Sequence, residues 1–329
     1  MTIGQTTSSD ISAEVDAFYD RTLLKPLRSS WIYGRYGQKK SVKDNDTARF
    51  SIYPILGTQP VALTEGVTPP AQKLSVTRFT AKVSLYGGYV ELTEECDIYR
   101  IDAVVAEATE RIAWQGADTV DEITRDVLVG GDNVYRANGV AARNEIIAKM
   151  TTTDLRVLGR AMLSNKVPFF KNLIPAGTGV GSSSVAAAWF MFIGNEVLYD
   201  AEAMTGYKGV EDYATQNGVE ENEIGSFGRF RFLFTTESPV VPDSGALIST
   251  SGLGTTSGTS VDVHQNVIIG PDAYGVIDAD GGMKNVRKDK AQIGGPLELY
   301  GTVGWKIRYT AVILEQDRMY RYECGATSV

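Results

Sequence analysis

Two runs of strict alternation around a proline- and glycine-rich linker constrain this chain more than any other feature. Phe50, Ile52, Pro54 and Leu56 alternate with Arg49, Ser51 and Tyr53. Further on, Thr77, Phe79, Ala81, Val83 and Leu85 alternate with Arg78, Thr80, Lys82 and Ser84. A period of two marks a strand with one apolar face. Gly57, Pro60, Gly66, Pro69 and Pro70 lie between the runs, so the pair reads as a long hairpin with an irregular tip. Two strands alone are marginally stable in water. The apolar face therefore needs a surface to lie on, either the chain's own body or a second copy. Gly87 and Gly88 follow, and read as a break in the strand and a hinge.

The period then changes. Ile98, Ile101, Val105, Ala108, Ile112, Val120, Ile123 and Val127 recur at spacings of three and four, which predicts a helix from about 97 to 129. Glu94, Glu95 and Asp97 stand at its start, where the helix dipole favours negative charge, and Gly130-Gly131 closes it. At about 1.5 Å per residue such a helix is roughly 45 to 50 Å long, a spine well beyond the usual three turns. Gly116 inside it costs about 1 kcal/mol relative to alanine and reads as a bend.

A second helix is expected over 153–165, with Leu155, Leu158 and Met162 inward and Thr152 or Thr153 as cap. Short buried strands are expected at 189–193, 228–234 and 266–269, with helical material at 196–204 and 210–215. Residues 249–260 read as a flexible Gly/Ser/Thr loop. Leu297, Leu299, Val303, Trp305, Ile307, Tyr309, Ala311 and Ile313 alternate over a long strand. A turn at 315–318 leads into a last strand over 319–322. Ahead of the hairpin, residues 1–45 read as an arm anchored by Phe18, Leu23, Leu24, Leu27, Trp31 and Tyr33. A short helix over 12–24 would start at Ser12, and 34–40 would be an exposed loop. There is no internal repeat, and the fold class is α+β.

The search for chemistry is mostly negative. His264 is the only histidine, with no serine-elbow or nucleophilic-cysteine signature elsewhere, so a surface or satisfied histidine is the better reading. Cys96 and Cys324 make neither a disulfide framework nor a metal motif and read as buried thiols. Gly177-Thr-Gly-Val-Gly181 lacks the Gly-Lys-Ser/Thr of a phosphate loop and reads as a turn. Asp278-Ala-Asp-Gly-Gly282 is a fragment of a calcium loop and reads as a β-turn. Asp118, Asp121, Glu122 and Asp126 read as a solvated or salt-bridged helix face rather than paired catalytic carboxylates. No enzyme, cofactor or metal is expected.

The net charge of −8 argues against a sequence-reading nucleic-acid binder. No apolar stretch is long enough to span a bilayer, and residues 1–10 lack the features of a signal peptide, so a cytoplasmic site of synthesis is expected. With 43% hydrophobic and 22% charged residues, the composition is that of an ordinary folded protein.

The order of these elements resembles the major capsid proteins of tailed bacteriophages, in their podophage-type branch. The wording agrees at Leu63-Thr-Glu-Gly-Val-Thr-Pro69, at Tyr86-Gly with Val90-Glu-Leu-Thr93, and at Asn222-Glu-Ile-Gly225 with the stretch 229–236. It agrees again at Gly270-Pro-Asp-Ala-Tyr-Gly275 and Gly301-Thr-Val-Gly-Trp-Lys306. These matches spread over about 47–323. The resemblance implies an N-terminal arm (1–45), an extended loop (46–95), a peripheral domain with the spine helix (96–184), an inserted axial domain (185–282) and closing strands of the peripheral domain (283–329). It implies an assembly interface on loop and spine, for which Phe50, Ile52, Leu63, Glu65, Phe79, Val83, Arg111 and Trp305 are the candidates. It also implies pentamers and hexamers of the chain itself, a separate scaffolding protein, a portal, and packaged double-stranded DNA held without sequence-specific contacts, and it leaves open whether a decoration protein binds outside. The implied location is the virion, after assembly in the host bacterial cytoplasm. Lys73 and Lys82 lie in the loop, but no motif supports a covalent cross-link there. On this reading Phe79→Asp leaves a folded, assembly-defective subunit. An encapsulin-like cargo compartment, a carboxylate-based hydrolase and a β-rich tail component are the alternatives.

Overall fold

The computed structural model describes residues 31–42, 46–54, 56–58, 62–63, 65–69, 71–93, 104–177, 184–213, 219–248, 252–256, 258–288 and 299–328. The short helix expected at 12–24, the acidic start at 94–97, Cys96, Ile98, Ile101, Leu297 and most of the 177–181 turn lie outside the described residues.

In chain order the first strands are β1 (Gln38–Val42), β2 (Thr47–Ile52), β3 (Thr77–Lys82), β4 (Ser84–Thr93) and β5 (Val134–Arg136). Then come β6 (Trp189–Ile193), β7 (Lys208–Gly209), β8 (Glu223–Phe227), β9 (Phe230–Phe234) and β10 (Val240–Val241). The last are β11 (Val263–Ile269), β12 (Tyr274–Lys288), β13 (Tyr300–Ile313) and β14 (Met319–Cys324). The helices are α1 (Val104–Val129), α2 (Thr152–Ser164) and α3 (Asn195–Glu202). The mixture is α+β, as the two periods in the sequence require.

An eight-stranded sheet in the order β5-β14-β11-β6-β9-β8-β7, with β10 added to β11, forms the centre. Its middle strands β6 and β11 are buried at every residue. Alternate side chains therefore feed two cores. Trp189, Met191 and Ile193 join Leu155, Leu158 and Met162 of α2 and Val197 and Ala201 of α3 on one face. Phe190 and Phe192 join Ile112 and Leu128 of α1 and Val303, Trp305 and Ile307 of β13 on the other. The inward residues expected of α2 are those found, but Thr151 is its cap. The Thr151 hydroxyl accepts a hydrogen bond from the Asp154 amide at 3.2 Å. The strand expected at 228–234 begins at Phe230 and is preceded by β8. The helical material expected at 210–215 is a single 3-10 turn, Val210–Asp212.

A four-stranded sheet, β1-β12-β13-β4, packs with α1. Trp305 of β13 lies at their junction, 5% exposed, and its indole N–H donates to Gln115 Oε1 of α1 at 3.1 Å. This contact explains two glycine sites that the sequence alone suggests are mechanical. β4 runs unbroken through Gly87 and Gly88, so there is no strand break at the expected hinge. A Cβ on Gly88 would come within 2.8 Å of Gln115 Oε1, and one on Gly87 within 2.8 Å of the Trp305 carbonyl oxygen. Gly116 faces Trp305 in the same way, at 3.0 Å, with Met283 Sδ nearer still. Gly88 and Gly116 admit the tryptophan ring between helix and sheet, and Gly87 admits the backbone of β13.

One further expectation changes, and one open alternative is decided. The stretch 34–40 is not wholly an exposed loop, because β1 pairs in parallel with β12, Gln38 opposite Gly275. Its lysines obscured the strand in the sequence, yet an edge strand needs only backbone partners and tolerates charge. The hairpin's apolar face lies at its base on the chain's own body. Ala48, Phe50 and Ala81 pack with Ile277 and Leu314, and Val42, Ile52, Phe79, Val83 and Val312 border them. Phe50 and Phe79 are cross-strand partners, and a Cβ on Gly275 would lie 2.6 Å from the Phe50 ring.

Candidate assembly surface

The hairpin divides into a seated base and an uncovered tip. Beyond Ile52 the chain leaves the β2–β3 ladder and returns to it at Thr77. Between these points Tyr53, Leu56, Leu63, Val67, Leu74 and Val76 are exposed, Leu63 at 72% and Val67 at 64%. Glu65 and Gly66 form a turn at the outer end, with Gly66 at φ +80°. Gln72 donates to the Gly57 carbonyl at 2.9 Å and ties the two limbs together. Single exposed apolar residues are ordinary, and it is six of them on one loop that make the tip a candidate contact surface.

The eight sequence candidates separate accordingly. Leu63 and Glu65 are on the open tip. Phe50, Ile52, Phe79 and Val83 are brought together at the seated base, and Phe50 is only 5% exposed. Trp305 is buried under α1. Arg111, on α1, pairs with Glu107 one turn earlier at 2.6 Å. Phe79→Asp would therefore damage the hairpin's own seat as well as any contact with a neighbour. Sequence reasoning missed Val67, Leu74 and Val76, and also Leu85 and Tyr89, which stand out from β4 at 63% and 73% exposure. Alternation reveals an apolar face without revealing whether the chain itself covers it.

The arm joins the body through a carboxylate that the sequence places on a solvated face. Asp121 of α1 is 3% exposed and accepts hydrogen bonds from the amides of Ile32 at 3.2 Å and Gly34 at 3.1 Å. Trp31 donates its indole N–H to Asp118. Glu122 and Asp126 pair with Arg125, as the salt-bridged reading requires. Burial pushes the Asp121 carboxyl up to about 6, outweighing the amide hydrogen bonds that lower it. Because its folded pKa stands above the unfolded 3.8, the folded state binds the proton more tightly between the two values. The stability difference between the native chain and Asp121→Asn should therefore shift in favour of the native chain as pH falls from 7 to 5. Urea unfolding midpoints of the two proteins at both pH values check this.

His264 lies directly across the β11–β14 ladder from Cys324, a juxtaposition invisible in the sequence. It does not make a nucleophilic pair. Burial pushes the Cys324 thiol up and the His264 imidazole down, so both groups are held neutral. The thiol accepts a hydrogen bond from Asn266 at 3.4 Å, and the imidazole Nδ1 is 4.0 Å from the Glu196 carboxylate. Asp278 to Gly282 falls within β12, where the register with β13 slips between Ala279 and Lys284 and Gly282 takes φ +101°. That is a bulge in a strand rather than a cation loop. No helix among the described residues is long and apolar enough to cross a membrane.

No family model matches the chain, and no curated protein matches it by sequence. Solved phage capsid chains superpose on it over nearly its whole length. The capsid of Ralstonia phage GP4 is 12% identical, with a TM-score of 0.69 and 99% of each chain covered. The capsid of Cyanophage Pam1 is also 12% identical, with a TM-score of 0.67 and 100% of each chain covered. The capsid of Cyanophage P-SCSP1u gives 12% identity and a TM-score of 0.65, with 99% of this chain and 97% of that one covered. The chain therefore has the fold of phage capsid proteins, with the loop, spine helix and long closing strand that the sequence resemblance implies.

Proposed function

We propose that this chain is a phage major capsid protein that assembles through pentamers and hexamers into the icosahedral shell around a double-stranded DNA genome. The observation that carries this reading is the end-to-end superposition on capsid chains despite 12% identity. The exposed apolar loop tip supports it, because a second copy would supply the cover that the chain itself lacks. The segments 1–45, 46–95, 96–184, 185–282 and 283–329 would serve as arm, extended loop, peripheral domain, axial domain and closing strands. The role is structural and not enzymatic, and the protein resides in the virion after assembly in the host cytoplasm. Its partners would be its own copies, a scaffolding protein, a portal and a decoration protein. The DNA it encloses would meet an acidic wall, which lines the polymer without gripping it.

Negative-stain electron microscopy of the purified protein, alone and with the neighbouring scaffolding gene product, tests the proposal. Closed shells, or regular pentamers and hexamers, are expected. A uniformly monomeric or dimeric protein under both conditions would defeat it. The loop assignment has its own test in Leu63→Asp combined with Val67→Asp. Both side chains are open to solvent, so the unfolding midpoint should stay within about 0.5 kcal/mol of the native value while shells fail to form. Normal shells from this variant would remove the tip from the assembly surface.

A further inference from the structure

At the β5 edge of the central sheet three arginines surround a single carboxylate. Glu323 of β14 is fully buried, and Arg136, Arg143 and Arg321 lie 3.2, 2.5 and 3.1 Å from it. Its Oε2 accepts from Arg136 Nε and Arg143 Nε, and its Oε1 accepts from Arg143 Nη2 and Gln265 Nε2. A carboxylate offers about four lone-pair sites, so its capacity is used up. The donors of the arginines are not. Arg136 Nη2 and Arg143 Nη1 make no hydrogen bond among the described residues. Arg321 Nη1 donates to the Val129 carbonyl, while its buried Nε, close to Glu323, has no hydrogen-bond partner.

The charge is unbalanced as well. Three positive groups against one negative leave an excess of two, and no second carboxylate pairs with any of them among the described residues. Burial, with the charges of Arg143 and Arg136 behind it, holds Arg321 below the ordinary arginine value against the pull of Glu323. Such a surplus is out of keeping with a chain of net charge −8. Arg136 and Arg143 are 24% and 33% exposed, so a ligand can reach them. We propose that Arg136 and Arg143 bind a phosphate group beside Glu323. A tetrahedral dianion carries the two negative charges that would balance the cluster, and its oxygens accept from two guanidinium forks at once. A second carboxylate would supply only one charge. The phosphate group is that of free inorganic phosphate or of a nucleic-acid backbone. The site lies within one subunit and does not depend on the shell reading.

Thermal unfolding of the isolated full-length subunit tests this, in phosphate against chloride of equal ionic strength, in a slightly alkaline buffer where phosphate is a dianion. The midpoint should rise with phosphate and saturate. Arg136→Gln leaves Glu323 with Arg143, Arg321 and Gln265 and should still fold. Its apparent affinity for phosphate should fall about tenfold, the scale of one charge-assisted hydrogen bond. A rise that never saturates, or that is equal in Arg136→Gln, is the general action of phosphate on folded proteins and would overturn the inference. So would a rise confined to Glu323→Ala, which would mean that the native carboxylate already satisfies the cluster. Line broadening of the phosphate 31P signal by the native subunit, relieved by excess sulfate, gives the same reading without a variant, and an unbroadened line counts against the site. A short DNA duplex added to the phosphate titration separates the two sources. Competition assigns the site to a nucleic-acid backbone, and its absence assigns it to free phosphate.

Discussion

Glu323→Ala should lower the stability of the isolated subunit by about 3 kcal/mol, the scale expected when one partner is removed from a buried ion cluster. Glu323 is fully buried, and three arginines converge on it. Arg143 approaches at 2.5 Å, Arg321 at 3.1 Å and Arg136 at 3.2 Å, while Gln265 donates to it at 3.2 Å. The cluster joins β5, the turn after it, β11 and β14, and so pins one side of the central sheet. Removing the carboxylate leaves three guanidinium groups facing one another, two of them under a quarter exposed. Burial alone would push the Glu323 carboxyl up. The hydrogen bond and charge of Arg143, with Gln265 and Arg321, outweigh it and hold the group below its usual 4.5. The contribution is therefore fully present above pH 4.5 and is lost as pH falls through the lower folded value. Urea unfolding of Glu323→Ala against the native subunit should show both the lower midpoint and a flatter acid limb. A loss under about 1 kcal/mol would mean that the arginines find other partners and that the cluster is dispensable.

Trp305→Ala should cost about 3 to 5 kcal/mol, the range for truncating a buried tryptophan. Two glycines, Gly88 and Gly116, make room for this ring and carry no side chain that could fill the cavity. The hydrogen bond to Gln115 is lost as well. Trp305→Phe should recover most of the loss, because packing rather than the indole N–H carries it. The effect should appear in the unassembled subunit by thermal or urea unfolding. A variant that unfolds normally but fails to assemble would return Trp305 to the interface, where its place in the sequence motif suggests it belongs.

Much of the architecture was legible in the sequence because periodicity records burial directly. The spacing of Ile112, Val120, Ile123 and Val127 marked α1, and the alternation from Val303 to Ala311 marked β13. The hairpin followed from Phe50 and Phe79, and α2 from Leu155, Leu158 and Met162. The misreadings share one cause. Gly87, Gly88 and Gly116 look like mechanical devices in one dimension; in three, Gly88 and Gly116 are spacers for a distant ring and Gly87 lets a neighbouring strand's backbone approach. Asp121 has the composition of a solvated helix face, yet it receives two amides from a segment 87 or more residues away. β1 has no apolar alternation because it is an edge strand.

By itself the sequence determined the strongly periodic elements, the hairpin, α1, α2 and β13, since local period acts over a few residues, but not β1 or β12. It also determined the absence of a recognisable catalytic signature, the acidic balance, and the order of parts that resembles a phage capsid subunit. Only the tertiary structure decided which apolar faces the chain covers itself. Phe50 and Trp305 went inward, while Leu63 and Val67 were left exposed. It alone placed Glu323 among its arginines and His264 across from Cys324. The physical reason is that burial and charge pairing depend on which distant strands become neighbours, and residues 136, 143, 265 and 323 meet only once the central sheet is closed.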